Sequence, residues 1–112
     1  MIQTDGIKKD PPGTSEMQAG SYSYAADDGS TDAYAITLDP APNTYTTGMR
    51  VWFKAGTANT GACTLNVNGL GAKALKMFHD QDPPDAYIED GSIVAVCYDG
   101  TYFQILNPDA NV

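Results

Sequence analysis

The chain has 112 residues, the size of one ordinary domain, and its six Lys and Arg against fourteen Asp and Glu leave a net charge of −8. Phosphate backbones and anionic lipid surfaces are bound by Lys and Arg, so this balance argues against nucleic acid and against a membrane as partners. No apolar run approaches the ~18 to 20 residues needed to cross a bilayer, and the opening MIQTDGIKKD lacks the apolar core of an export signal, which predicts a soluble, non-secreted product.

Eleven Gly and seven Pro are scattered without a fixed period, and no stretch keeps apolar residues at i, i+3, i+4, i+7 without one of them interrupting. The expectation is an all-β fold: a small antiparallel β-sandwich or barrel-like domain over residues 33–112, preceded by an extended N-terminal arm, residues 1–32. The arm offers Met1, Ile2, Ile7 and Met17, then Tyr22 and Tyr24, and it carries six acids against Lys8 and Lys9. Such a segment buries too little apolar surface to offset an ordering cost of ~1 to 2 kcal/mol per residue. It is expected to order on a partner surface, the alternative being that it folds back on its own body.

From residue 33 the period becomes two. Tyr34, Ile36 and Leu38 share one face of a strand that Asp39-Pro40-Ala41-Pro42-Asn43 ends. Met49, Val51 and Phe53 alternate with Arg50, Trp52 and Lys54, which points Trp52 away from the core. Cys63, Leu65 and Val67 alternate with Thr64 and Asn66, and Asn68-Gly69-Leu70-Gly71 turns the chain into a strand over Lys73 to Phe78. His79 to Asp90, acidic and broken by Pro83-Pro84, reads as a loop.

The last element is a hairpin, Ser92 to Tyr98 and Thr101 to Leu106 about Asp99-Gly100, a two-residue connection of the type I′ class. That register sets Val96 against Phe103 and Val94 against Ile105 on one face, with Cys97 against Tyr102 and Ile93 against Leu106 on the other. The predicted core is Ile36, Leu38, Met49, Val51, Phe53, Leu65, Val67, Val94, Val96, Phe103 and Ile105. An apolar second face needs cover, so Trp52, Ile93, Tyr102 and Leu106 are expected to meet another sheet or another subunit. For Trp52 the alternative is packing beneath a loop of its own chain.

Chemistry is sparse. Cys63 and Cys97 lie inside strand patterns, not in a metal or redox spacing, and read as reduced fillers. His79 is the only histidine and has no identifiable nucleophile or orienting partner. The His79, Asp80, Asp82 group lacks an EF-hand pattern, and Gly69-Leu70-Gly71-Ala72-Lys73 lacks both the spacing and the following helix of a P-loop. No catalytic, cofactor or metal site is expected, and the protein is read as a non-enzyme.

The run Tyr34-Ala35-Ile36-Thr37-Leu38, then Tyr45 to Ala55, then Asn59 to Lys73 with its NVNGLGAK signature, and finally Tyr98-Asp99-Gly100-Thr101-Tyr102-Phe103-Gln104 resembles a β module of tailed-bacteriophage virion proteins. That module occurs in head-decoration, head-fibre and tail-fibre proteins. The resemblance covers about two-thirds of the chain and implies a structural protein of the virion surface, assembled in the host cytoplasm. The chain departs from the pattern in its N-terminal arm and in the acidic segment with Pro83-Pro84, where the family usually has a short Gly-rich connection.

A single module with an arm and no shaft is expected to be a capsid decoration, cement or head-fibre protein. It would dock on the major capsid protein or another virion protein through Met1, Ile2, Ile7, Met17, Tyr22 and Tyr24. The resemblance also implies a homotrimer. The alternatives are a tail-fibre or baseplate accessory subunit, or a lectin-like module that binds a glycan through exposed aromatics.

Overall fold

A strand whose alternate side chains are apolar has one face that must leave water, and the shortest way for a small chain to cover such faces is to roll its sheet around them. The computed structural model describes residues 20–107. It has seven strands: β1 (Tyr24–Ala26), β2 (Ala33–Ile36), β3 (Arg50–Lys54), β4 (Cys63–Val67), β5 (Ala72–Lys76), β6 (Ile93–Tyr98) and β7 (Phe103–Ile105). They form one sheet in the order β1-β3-β6-β7-β5-β4-β2, and the fold is all-β as expected.

The sheet curls into a nearly closed barrel because its two outermost strands are consecutive in the chain. The Asp28 N–H donates to the Ala35 carbonyl at 2.9 Å, and the Asp39 N–H to the Ser21 carbonyl at 2.9 Å, so β1 and β2 meet through isolated bonds where a full ladder is missing.

Three pairings are antiparallel (β3 with β6, β4 with β5, β6 with β7) and three are parallel (β1 with β3, β2 with β4, β5 with β7), so the sheet is mixed where a purely antiparallel one was expected. Alternation records which side of a strand is buried and says nothing of its neighbour's direction. The body also begins earlier than residue 33. Residues 20–32, assigned to the arm from sequence, carry β1 and the connection to β2. Met1, Ile2, Ile7 and Met17 lie outside the described residues.

Inside the barrel every predicted core residue is buried except Met49, which packs half-buried at its margin. Tyr34, Ala55, Cys63, Leu75, Ile88 and Tyr98 complete the core. The rings of Tyr45, Tyr98 and Phe103 form a triangle with centroids 5.2 to 5.4 Å apart at one end, and Tyr34 meets Phe53 at 5.3 Å near the other. Both cysteines are free, and burial pushes the Cys63 thiol up to about 12, leaving it protonated and inert.

The final hairpin is slipped by two residues from the expected register: Tyr98 pairs with Phe103, Cys97 with Gln104 and Val96 with Ile105. The loop is therefore Asp99 to Tyr102. The Asp99 carboxylate accepts the N–H groups of Thr101 at 2.8 Å and Tyr102 at 2.7 Å, building a wider turn than the two-residue type. A slip of two preserves facing, so Phe103 and Ile105 still point inward. Strand β5 also ends at Lys76, short of the predicted Phe78.

Closure is completed by Asp27, just after β1. One carboxylate oxygen accepts the Gly29 N–H at 2.8 Å and the Ala35 N–H of β2 at 2.9 Å. The other accepts the Gly56 N–H at 3.0 Å, beyond β3. The chain can turn this tightly only because residue 29 is glycine, where a Cβ would stand 2.1 Å from the Ala33 carbonyl oxygen.

Asp27→Ala is expected to cost about 2 to 4 kcal/mol, three charge-assisted hydrogen bonds less what water restores. Asp27→Asn keeps the acceptor for Gly29 and Ala35 but turns a donor toward the Gly56 N–H, and should cost about 1 to 2 kcal/mol. Urea unfolding midpoints of the two variants check that order.

Candidate interaction surface

On the outer wall, β3 presents Arg50, Trp52 and Lys54 in one file, because Val51 and Phe53 claim the inside. Register extends this file sideways. Tyr24 of β1 and Ala95 of β6 stand opposite Trp52, and the Leu106 N–H donates to the Ala95 carbonyl at 2.8 Å, so Tyr24, Trp52, Ala95 and Leu106 cross four neighbouring strand positions as one band. Ile93, opposite Lys54, adjoins it. Trp52 is 40% exposed, Ile93 48% and Leu106 52%, large values for side chains of this kind on one patch.

Trp52, Ile93 and Leu106 are thus brought together as a single surface, and Tyr24, assigned to the arm from sequence, joins them. Tyr102 stands apart at the Asp99 turn, with the Lys76 ammonium over its ring at 5.2 Å. Tyr22, 47% exposed, borders a separate open groove with Leu38, Pro40, Met49 and Arg50.

The charges on this band set it apart from the rest of the surface. Lys76 pairs with Asp82 at 2.6 Å and Lys73 lies over the Tyr45 ring at 5.8 Å. Arg50 and Lys54, on either side of Trp52, have no acidic partner among the described residues. An apolar band rimmed by two cations without an acidic partner among the described residues therefore sits on a strongly acidic chain.

A second exposed apolar feature was missed from sequence. After β5 the chain makes a tight turn in which Met77 and Gln81 exchange backbone hydrogen bonds at 2.8 and 2.9 Å. Phe78 and His79 at its tip take positive φ, 50° and 78°, and Phe78 is 73% exposed. The Gln104 side chain of β7 grips the turn from below. Its Oε1 accepts the His79 N–H at 3.0 Å, and its Nε2 donates to the His79 carbonyl at 2.6 Å and to Asp99 Oδ2 at 2.7 Å. The legible signal was Met77-Phe78 itself: two consecutive large apolar residues cannot both face inward from one strand.

No group of three or more His, Cys, Asp or Glu side chains is placed to hold a metal ion among the described residues, and the His79, Asp80, Asp82 group is spread along this turn. No family model matches the chain, and no curated protein matches it.

A phenylalanine at positive φ is strained, and one in water gains no burial in return. In the unassociated chain, Phe78→Asn, which tolerates this conformation, is therefore expected to leave thermal stability unchanged or to raise it by roughly 0.5 to 1 kcal/mol. The Asp99 turn gives a pH test. Hydrogen bonds from the Tyr102 and Thr101 N–H groups and from Gln104, the Tyr102 bond foremost, hold the Asp99 carboxyl below its ordinary value of 3.8. A carboxyl lowered in the folded state contributes stability above its unfolded pKa, and that contribution is lost as pH falls through the lowered value. Asp99→Asn should therefore fall short of the wild type at neutral pH and approach it below that value, as read from urea midpoints across an acid series.

Proposed function

We propose that the protein is a structural component of a tailed-phage virion: a capsid decoration, cement or head-fibre protein, homotrimeric, docked on the particle through its N-terminal segment and displaying the barrel on the virion surface. The observation that carries this reading is where the resembling motifs fall. The NVNGLGAK segment forms the β4–β5 hairpin and the Tyr98-to-Gln104 segment forms the β6–β7 hairpin. The two join through the parallel β5–β7 pair into one four-strand block.

The polar residues of these motifs close a turn of that block and tie it to the segment after β2. Asn66 Oδ1 accepts the Gly71 N–H at 3.1 Å, closing the β4–β5 turn. Asn68 accepts the Leu38 N–H at 2.9 Å and donates to the Leu38 carbonyl at 3.0 Å. The likeness to virion modules thus lies in residues that specify a folding unit, which supports homology of the body more strongly than matching apolar positions would. The role is structural and non-enzymatic in this reading, and its partner is the major capsid protein or another virion protein.

A lectin-like reading, with a glycan as partner, draws on the neighbouring Tyr24 and Trp52, since paired exposed aromatics suit the faces of sugar rings. A tail-fibre or baseplate accessory role is the alternative within the virion class.

Labelled protein mixed with phage particles that lack it separates these readings. Full-length protein should bind the head, and a chain beginning at Gly20, which keeps every described strand, should fold by circular dichroism yet leave particles bare. Equal occupancy by both would move the dock onto the barrel. Binding to tails alone would select the accessory-subunit reading, and binding to glycans but not to particles the lectin reading.

A further inference from the structure

We propose that neighbouring copies of this chain are joined by one specific contact, in which the Phe78 turn of one copy docks on the Trp52 band of the next. The inference rests on the self-association in the proposed function and names the surfaces that carry it.

The two features are complementary in shape and in charge. The Phe78 turn is a knob: one exposed aromatic ring on a five-residue loop that also carries Asp80, while Asp82 beyond it is held by Lys76. The band is a platform of Tyr24, Trp52, Ile93 and Leu106 between Arg50 and Lys54. Docking the knob on the platform covers the apolar groups of both and brings Asp80 of one copy to Arg50 and Lys54 of the other, which have no acidic partner among the described residues. Aromatic and Arg anchors of this kind are the residues that carry most interface energy.

The contact must join unlike surfaces. Two platforms face to face would oppose Arg50 and Lys54 to their own copies, and two knobs would oppose Asp80 to its own. Each arrangement sets like charges against each other as apolar surface is buried, which costs more than it returns. Knob on platform relieves both, and a head-to-tail contact whose rotation is one third of a turn closes into the proposed trimer, in which every copy uses each surface once.

The knob is also ordered before it docks. Gln104 ties its backbone on both sides of His79, and Met77 and Gln81 close its neck. A turn whose backbone is held this way loses little freedom on association, and contact with a partner would offset the strain of a phenylalanine at positive φ.

Sedimentation equilibrium of the full chain tests the contact, with circular dichroism confirming that each variant folds. Phe78→Asn, which suits the turn, should weaken association at least ~10-fold, as should Trp52→Ala. Lys54→Asp and Asp80→Lys should each weaken it, and the two together in one chain should recover most of the loss. Equimolar Phe78→Asn and Trp52→Ala chains retain one good surface apiece and should form heterodimers that grow no further. An oligomeric wild type whose mass none of these substitutions alters would overturn the contact and leave the homotrimer standing. A monomeric wild type would overturn both, while particle binding remains a separate result. Loss of glycan binding in Trp52→Ala with no change in mass would overturn the contact and give the band to a sugar.

Discussion

Closing a sheet whose last two strands are only three and four residues long is the constraint on which this molecule depends. An open sheet of this size would leave two bare edges and an interior wet on one side. Strands so short cannot zip together by backbone alone, so side chains supply the missing bonds. Asp27 reaches three N–H groups from three segments. Asn68 pairs with both polar groups of Leu38, and Asn107 does the same beyond β7, accepting the Ala95 N–H at 2.8 Å and donating to the Ile93 carbonyl at 3.1 Å. These amides stand in for a further residue of strand where the backbone has turned away.

Asn59 plays the corresponding part for the long acidic connection. It is wholly buried, accepts the Ile88 N–H at 2.8 Å and donates to the carbonyls of Gly61 at 2.9 Å and Pro84 at 3.0 Å. One side chain thereby stitches residues 83–88 to the barrel and lets Ile88 and Pro83 enter the core from a segment whose composition is that of a solvated loop. An amide buried here without those partners would cost more than the burial of Ile88 returns, so the connection is held or lost as a unit.

What the sequence made legible follows from this division of labour. Alternation identified Val51, Phe53, Leu65, Val67, Val94 and Val96 as core and Trp52 as outward, because facing is a local property of a strand. Partner, direction and closure are not local. Asp27 reads as one more acid in a polar segment until Ala35 and Gly56 are placed beside it, which is why β1 was assigned to an arm. The hairpin slip has the same origin: Asp99-Gly100 permits a two-residue turn, and the wider loop wins because the Asp99 carboxylate satisfies two further N–H groups and holds Gln104. Phe78 escaped notice because its exposure is fixed by the grip of Gln104, 26 positions later in the chain.

The surface divides along the same line as the proposed resemblance. Of the motif residues, Asn66, Asn68 and Gln104 are half-buried and spent on turns and strand ends, and Asp99, though exposed, is committed to its own turn, so all four hold a frame. The segment that departs from the pattern begins beside Phe78, and it is fastened to that frame at one end by Gln104 and at the other by Asn59. A connection clamped at both ends by frame residues can change its tip without endangering closure. In a chain of net charge −8 random encounters between copies are disfavoured, and in the proposed contact Arg50 and Lys54, without an acidic partner among the described residues, draw such a tip in. In that proposal the frame fixes where contacts can form, and residues it does not need, Phe78 on one side and Trp52 with its two cations on the other, decide which contact forms.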